Sequence, residues 1–257
     1  MKSFKSLLIS SIIAVLFLTG TALAHFGVIM PSDDIIGEKD TKKITLKVYF
    51  MHPFEQEWLN MEKPKAFGVM LGDEKTDLLS TLVNKKVKGK NAWETTFTIK
   101  RPGDYIFYLE PQPYWEPAEE KFIAHYPKVV VQALGKEEGW DKEVGLPIEI
   151  VPLTRPYGLW VGNVFQGVVK LNGKPLPFAD VEVEYFNESG KVKAPKEAYV
   201  TQVIKADANG VFTYAIPKAG WWGFAALTDA TYKIKKDGKE YPVEIGGIIW
   251  VKAREMK

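Results

Sequence analysis

An all-β fold of two β-sandwiches, immunoglobulin-like or transthyretin-like, is the architecture this sequence predicts. Three observations predict it. Residues 44–50 (ITLKVYF) and 93–100 (WETTFTIK) alternate with period two, as half-buried strands should. Turn signals such as Asn172-Gly173 and Asp237-Gly238 divide the chain into short segments. The two stretches open to a helical or irregular reading, 55–61 and 76–83, are too short to change the class.

Taken in order, residues 1–24 read as a secretory signal peptide. Lys2 and Lys5 give a basic start, residues 7–18 are apolar, and Thr21-Ala22-Leu23-Ala24 supplies an A-x-A cleavage site. The apolar run is shorter than the roughly 20 residues that span a bilayer. A first domain is expected over residues 25–153. Its strands are 44–50, 93–100, 105–110 after the turn Arg101-Pro102-Gly103-Asp104, 122–132 and 147–153. Pro127 inside the fourth implies an edge or a bulge, because proline cannot donate to a ladder. Prolines at 152 and 156 suggest a boundary, with a second sandwich over residues 154–257. Asn172-Gly173 predicts a type I′ hairpin, since both residues accept positive φ. Strands follow at 179–186, 199–205, 211–216, 232–235 and 241–251.

The precursor of 257 residues carries a formal charge of +2, which falls to about zero once the two lysines of the signal are removed. That balance argues against nucleic acid as a partner and against an anionic membrane. The protein is expected to be periplasmic or otherwise extracytoplasmic, peripheral to a membrane rather than inserted. Absence of cysteine excludes disulfides, thiolate metal sites and a lipidated N-terminal Cys. The chain is long enough to be held by its core alone. No G-x-S-x-G, P-loop, H-E-x-x-H or dinucleotide fingerprint is present, and no catalytic residues are expected.

The chain contains three histidines, His25, His52 and His125. Cleavage after Ala24 would make His25 the first residue. Its α-amine and imidazole would then chelate together. Such nitrogen donors suit Ni²⁺, Co²⁺, Cu²⁺ or Zn²⁺ and do not suit Ca²⁺ or Mg²⁺. By parity, His52 shares a face with Ile44, Leu46, Val48 and Phe50, at a strand end just before Pro53. His125 lies on a strand. Glu55, three residues after His52, is a candidate further ligand or hydrogen-bond partner to a ligand. Glu110, Glu119 and Glu120 precede His125 in the same sense. Met30, Met51 and Met61 form no Met-rich run, which weakens a dedicated Cu⁺ role. Tyr114-Trp115 and Trp221-Trp222 are candidate sugar-stacking aromatics if exposed.

Four segments resemble the periplasmic metal-binding accessory proteins of nickel and cobalt uptake, a family long described only as a domain of unknown function. They are Ala24-His25-Phe26-Gly27, Met51-His52-Pro53-Phe54-Glu55, Arg101-Pro102-Gly103-Asp104-Tyr105 and residues 201–222. The resemblance implies a Ni²⁺-binding (or Co²⁺-binding) extracytoplasmic protein without enzymatic activity. It also implies a partnership with a membrane nickel/cobalt transporter of the energy-coupling type. It further implies a site built from the mature N-terminus and histidines, carried over here to His25, His52 and His125. Whether Glu55 coordinates is left open. The second half also resembles carboxypeptidase regulatory-like sandwiches, through Gly173-Lys174-Pro175-Leu176-Pro177, Ala179-Asp180-Val181 and Asp207-Ala208-Asn209-Gly210. Two alternatives stand beside this expectation. One is an extracytoplasmic copper protein with a histidine brace, either carrier or oxidative enzyme. The other is a metal-free glycan-binding or adhesion module.

Overall fold

The computed structural model describes residues 24–256. The expected signal peptide lies outside the described residues, except for Ala24. The first strands are β1 (Phe26–Pro31), β2 (Ile35–Ile36), β3 (Lys43–His52), β4 (Glu57–Leu59), β5 (Ala66–Leu71), β6 (Glu74–Asp77), β7 (Val83–Val87) and β8 (Lys90–Thr98). Next come β9 (Gly103–Glu110), β10 (Tyr114–Glu116), β11 (Lys121–Ala133), β12 (Ile148–Pro152), β13 (Leu159–Trp160), β14 (Val164–Leu171), β15 (Lys174–Pro175) and β16 (Asp180–Tyr185). The last are β17 (Gln202–Lys205), β18 (Val211–Ala215), β19 (Gly220–Asp229), β20 (Ile234–Lys236), β21 (Lys239–Tyr241) and β22 (Val243–Arg254). Short 3₁₀ turns at Leu79–Thr81 and Glu197–Tyr199 are the only helical elements among the described residues. The stretch 55–61, open to a helical reading in sequence, instead holds a turn and β4. Stretch 76–83 holds the end of β6, a 3₁₀ turn and the start of β7.

The protein is nearly all-β. Three main sheets stack as two sandwiches that share their middle layer. The outer sheet of the first half runs β1-β3-β8-β7, with β4 on β3. The central sheet has 11 strands, with the main order β17-β16-β19-β22-β11-β9-β5-β6. The outer sheet of the second half runs β12-β14-β15, with β18 on β14. Alternation in the central strands explains the layering. Ile123, Val129 and Val131 of β11, with Ile248 and Trp250 of β22, face the first core. Ala124, Tyr126 and Val130, with Ile245, Ile249 and Val251, face the second. Both faces are buried, so these strands read as near-continuous apolar runs. β11 and β22 pair in parallel, Phe122 opposite Val243 through Val129 opposite Trp250.

The boundary expected at residues 152–156 falls between β12 and β13, but strand pairing crosses it twice. β22 joins β11, and β12 pairs with β14. The physical reason is that an unpaired strand edge leaves backbone N–H and C=O groups without partners, and the last strand pairs with that edge of β11. Pro127 sits where residues 124–129 of β11 lack a ladder partner on one side. β10 ends its pairing at Ile123 and β9 begins at Val130. The missing N–H therefore breaks no strand pairing there. At the predicted hairpin, Asn172 and Gly173 both have positive φ, 50° and 75°.

One buried ion pair fastens the layers. Lys128 of β11, 1% exposed, donates to Glu149 of β12 at 2.6 Å. Glu149 also accepts the N–H groups of Val144, Gly145 and Leu146. Removing one member of a buried pair costs about 3–5 kcal/mol, because the other charge stays buried. Lys128→Met should therefore lower urea-unfolding stability by about that amount. Glu149→Leu should cost still more, since it also orphans three N–H groups. Losses under about 1 kcal/mol in both variants would rule out the pair as an anchor.

Candidate metal centre

Strand register builds the site. β1 pairs antiparallel with β3, Phe26 opposite Met51 and Gly27 opposite Phe50. Continuing by one residue brings His25 opposite His52. Their rings meet edge to face, with centroids 4.6 Å apart. β3 then turns through Pro53-Phe54-Glu55-Gln56 into β4, where Glu57 stands opposite His52. By parity His25, Gly27, Phe50 and His52 share the face that meets the central sheet.

His125 arrives from that facing sheet. Two glycines make room for it. A Cβ on Gly27 would lie 3.1 Å from Pro127 and 3.3 Å from the Cβ of His125. A Cβ on Gly246, the parallel partner of His125, would lie 2.6 Å from its Cδ2. The bare backbone at these positions lets β1 and β11 approach and gives the imidazole a flat floor. Phe50 touches both rings, 5.6 Å from that of His25 and 5.9 Å from that of His125. Tyr114 of β10 covers the group, 6.2 Å from His25 and 5.0 Å from Phe50. A small pocket lined by Phe50, Met61, Tyr114 and Ile123 reaches His125.

The three histidines are 8%, 4% and 2% exposed in chain order. Both ring nitrogens of His52 and of His125 are enclosed without a hydrogen-bond partner. Burial, and then the nearby His52-to-His25 charge coupling, lowers the pKa of His52 to about 4. Burial lowers that of His25 too, and His125 adds to the effect. The first two imidazoles are therefore neutral at pH 7, the form that can donate a lone pair to a metal.

Each histidine has one carboxylate beside it. Glu116 Oε2 is 3.0 Å from Nε2 of His25. Glu57 Oε2 is 3.6 Å from Nδ1 of His52. Glu244 Oε1 is 3.5 Å from Nε2 of His125, within ion-pairing reach but outside hydrogen-bond geometry. Glu244 is held ionised. Burial would raise its pKa, but His125 and Lys121 outweigh that and bring it down to about 2.

The structure thus brings together the three histidines singled out from sequence. Among the described residues, no three His, Asp or Glu side chains already enclose one ion position, so side-chain rotation must accompany any binding. Glu55 lies in the solvent-facing turn, where partial desolvation of its carboxyl, and then Glu197 and Glu57 nearby, raise its pKa. The carboxylate that reaches His52 is Glu57, two residues on. Hairpin geometry could have indicated Glu57. Nothing local in sequence marks Glu116 or Glu244, which depend on the pairing of β10 and β22 with β11. Glu119, a candidate partner of His125, pairs with Lys121 at 2.6 Å. Met51 and Met61 are buried in the first core, and Met30 packs against it. Trp221 and Trp222 are buried as well, 8% and 4% exposed.

The fold and this histidine group together define an all-β protein with a candidate metal centre. The chain belongs to the family described as a domain of unknown function (DUF4198), whose profile matches residues 22–230. Among curated proteins, none matches the sequence. Among solved structures, the chain is similar to a putative carbohydrate binding protein from Bacteroides uniformis, at 13% identity over 77% of this chain and 94% of that one, with a TM-score of 0.26. It is also similar to a bacterial ice-binding adhesin, at 8% identity over 91% of this chain and 66% of that one, with a TM-score of 0.27. A third likeness is to a chain of the complex of Dpr11 IG1 with DIP-gamma IG+IG2. Identity there is 9% over 86% of this chain and 98% of that one, with a TM-score of 0.22. Scores this low carry no functional information.

The buried imidazoles make stability depend on pH. The pKa of His52 is about 4 in the folded protein against 6.5 in the unfolded chain. Between those values the unfolded chain binds more protons. Its contribution is therefore whole above pH 6.5 and is lost as pH falls toward 4. Glu182 and Glu184 act the other way. Burial raises them to about 7 and about 8, so their contribution is whole below pH 4.5 and is lost as pH rises through those values. His52→Gln removes the first effect only. Between pH 6.5 and pH 4 the metal-free variant should lose about 3 kcal/mol less stability than the parent, measured by urea unfolding with chelator. Parallel pH profiles would contradict the burial of a neutral His52.

Proposed function

We propose that this protein captures Ni²⁺ or Co²⁺ outside the cytoplasmic membrane and presents it to a membrane uptake transporter of the energy-coupling type. The observation that carries the proposal is the cluster of three buried imidazoles, in which four ring nitrogens of His52 and His125 are enclosed without a partner. Buried polar atoms are nearly always satisfied, and an ion is one of the few explanations for a group that is not. A set of nitrogen donors suits late first-row divalent metals. The resemblance of the His25 and His52 segments to nickel-uptake accessory proteins supports the same metal class. Cleavage after Ala24 would add the α-amine of His25 as a further nitrogen. No reaction is catalysed in this scheme, and the metal is cargo.

A histidine-brace copper enzyme would need an open metal position beside a substrate face. The cover of Tyr114 and the near-complete burial of all three rings favour carriage. Burial of Trp221 and Trp222 removes half of the aromatic platform that a glycan-binding module would use.

The test is isothermal titration of the chain beginning at His25. Ni²⁺ should saturate near one equivalent, because all three imidazoles serve one site. His52→Ala and His125→Ala should each weaken binding by about tenfold or more, or about 1.4 kcal/mol. One extra residue before His25 converts the amine to an amide and should weaken binding comparably. Absence of Ni²⁺ and Co²⁺ binding by the parent chain would defeat the proposal.

A further inference from the structure

We infer that Glu116 is a positioning residue that fixes the tautomer of His25 and thereby selects Nδ1 as its metal-facing nitrogen. This deepens the proposed metal capture and rests on it. A carboxylate only accepts hydrogen bonds, so the 3.0 Å contact from Glu116 Oε2 requires the proton on Nε2 of His25. A neutral imidazole then presents its lone pair at Nδ1 alone. In an N-terminal histidine, Nδ1 and the α-amine close a six-membered ring with a metal through Cα, Cβ and Cγ. Nε2 points away from the amine and cannot close that ring. The Glu116 contact therefore leaves free the one ring nitrogen that the terminal amine can use.

Glu116 is itself held in place. Its second oxygen, Oε1, accepts the N–H of Ala118 at 3.0 Å, so neither oxygen swings freely. Its strand, β10, pairs with β11, Glu116 opposite Lys121. Trp115 pins β10 from the other side, against Phe122 at 5.0 Å and against Tyr241 at 4.6 Å. Lys236 lies over the same indole at 5.2 Å. A carboxylate fixed at both oxygens orients a ligand; it is not poised to become one. Partners of this kind typically change metal affinity by about 10–100-fold when removed.

Two measurements on the chain beginning at His25 test this. In metal-free protein, ¹⁵N-edited spectra of the imidazoles should show His25 as the Nε2–H tautomer. Glu116→Gln, whose carbonyl can still accept, should keep that tautomer; Glu116→Ala should give a mixture. Titration with Ni²⁺ should then show a loss of about tenfold or more for Glu116→Ala and substantial rescue by Glu116→Gln. The decisive comparison adds one residue before His25. Because Glu116 acts through the chelate, Glu116→Ala should have little further effect in that blocked chain. An Nδ1–H tautomer in the parent, or an unchanged affinity in Glu116→Ala, overturns the inference. So does an equal loss in free and blocked chains, which would mean direct ligation or a merely structural role. Failure of the parent to bind Ni²⁺ or Co²⁺ would defeat the metal proposal while leaving the tautomer measurement to judge Glu116 separately.

Discussion

The register between β1 and β3 is the constraint on which the site depends. Strand side chains alternate between faces, so a slip of one residue would exchange every inward side chain for an outward one. Here burial fixes the register from both sides. Ile44, Leu46 and Val48 fill the first core from β3, and Ile29 and Gly27 meet β11 from β1. With Phe26 held opposite Met51, His25 has no choice but to face His52. Trp250 reinforces the arrangement by donating its indole N–H to the carbonyl of Gly27 at 3.0 Å. The first residues of the described chain are therefore tied into the core rather than left to fray.

The shared central sheet gives the second half a part in the first half's chemistry. β22 supplies Gly246, under the His125 ring, and Glu244, beside it. The hairpin of β20 and β21 supplies Tyr241 and Lys236, which hold Trp115 and so β10. Beside the turn after His52, Glu184 of β16 accepts the N–H of Phe54, and Asn187 donates to its carbonyl. Each of the three histidines thus leans on a contact that originates after residue 180. A fragment ending near residue 153 would keep every imidazole and lose these supports, along with the strand that covers one side of β11.

Local chemistry made much of the fold legible in sequence. Period-two alternation located β3 and β8, an aromatic-rich run after the Arg101–Asp104 turn located β9, and Asn172-Gly173 and Asp237-Gly238 located their hairpins. Residues 122–132 and 241–251 read as strands, but nothing in them says which strand lies beside which. Parallel pairing of strands 121 residues apart is a tertiary choice, so the shared sheet was hidden. The same division applies to the site. Rarity of histidine and the parity of β3 singled out His25, His52 and His125. Closeness in sequence to His52 points to Glu55, whereas hairpin pairing brings Glu57, the residue directly across the turn. Glu116 and Glu244 come to the site only through long-range pairing with β11. The Trp221-Trp222 pair shows the limit of composition, since adjacent strand residues face opposite layers and both can be buried.

An imidazole pocket of this kind is a standing cost to the metal-free protein. Enclosed nitrogens without partners forfeit hydrogen bonds that water would provide, and Gly27 and Gly246 pack directly against His125. The surrounding sandwich is what makes that cost tolerable, because both faces of β11 and β22 are buried and the Lys128–Glu149 pair fastens the layer behind. Strain of this sort is retained where a ligand relieves it. It also bears on metal choice. Intrinsic affinity would rank Cu²⁺ above Ni²⁺ at any open set of nitrogens. In the proposed carrier, rings packed against two glycines and a phenylalanine would discriminate by geometry instead, favouring the ion whose coordination matches the few ring rotations the packing permits.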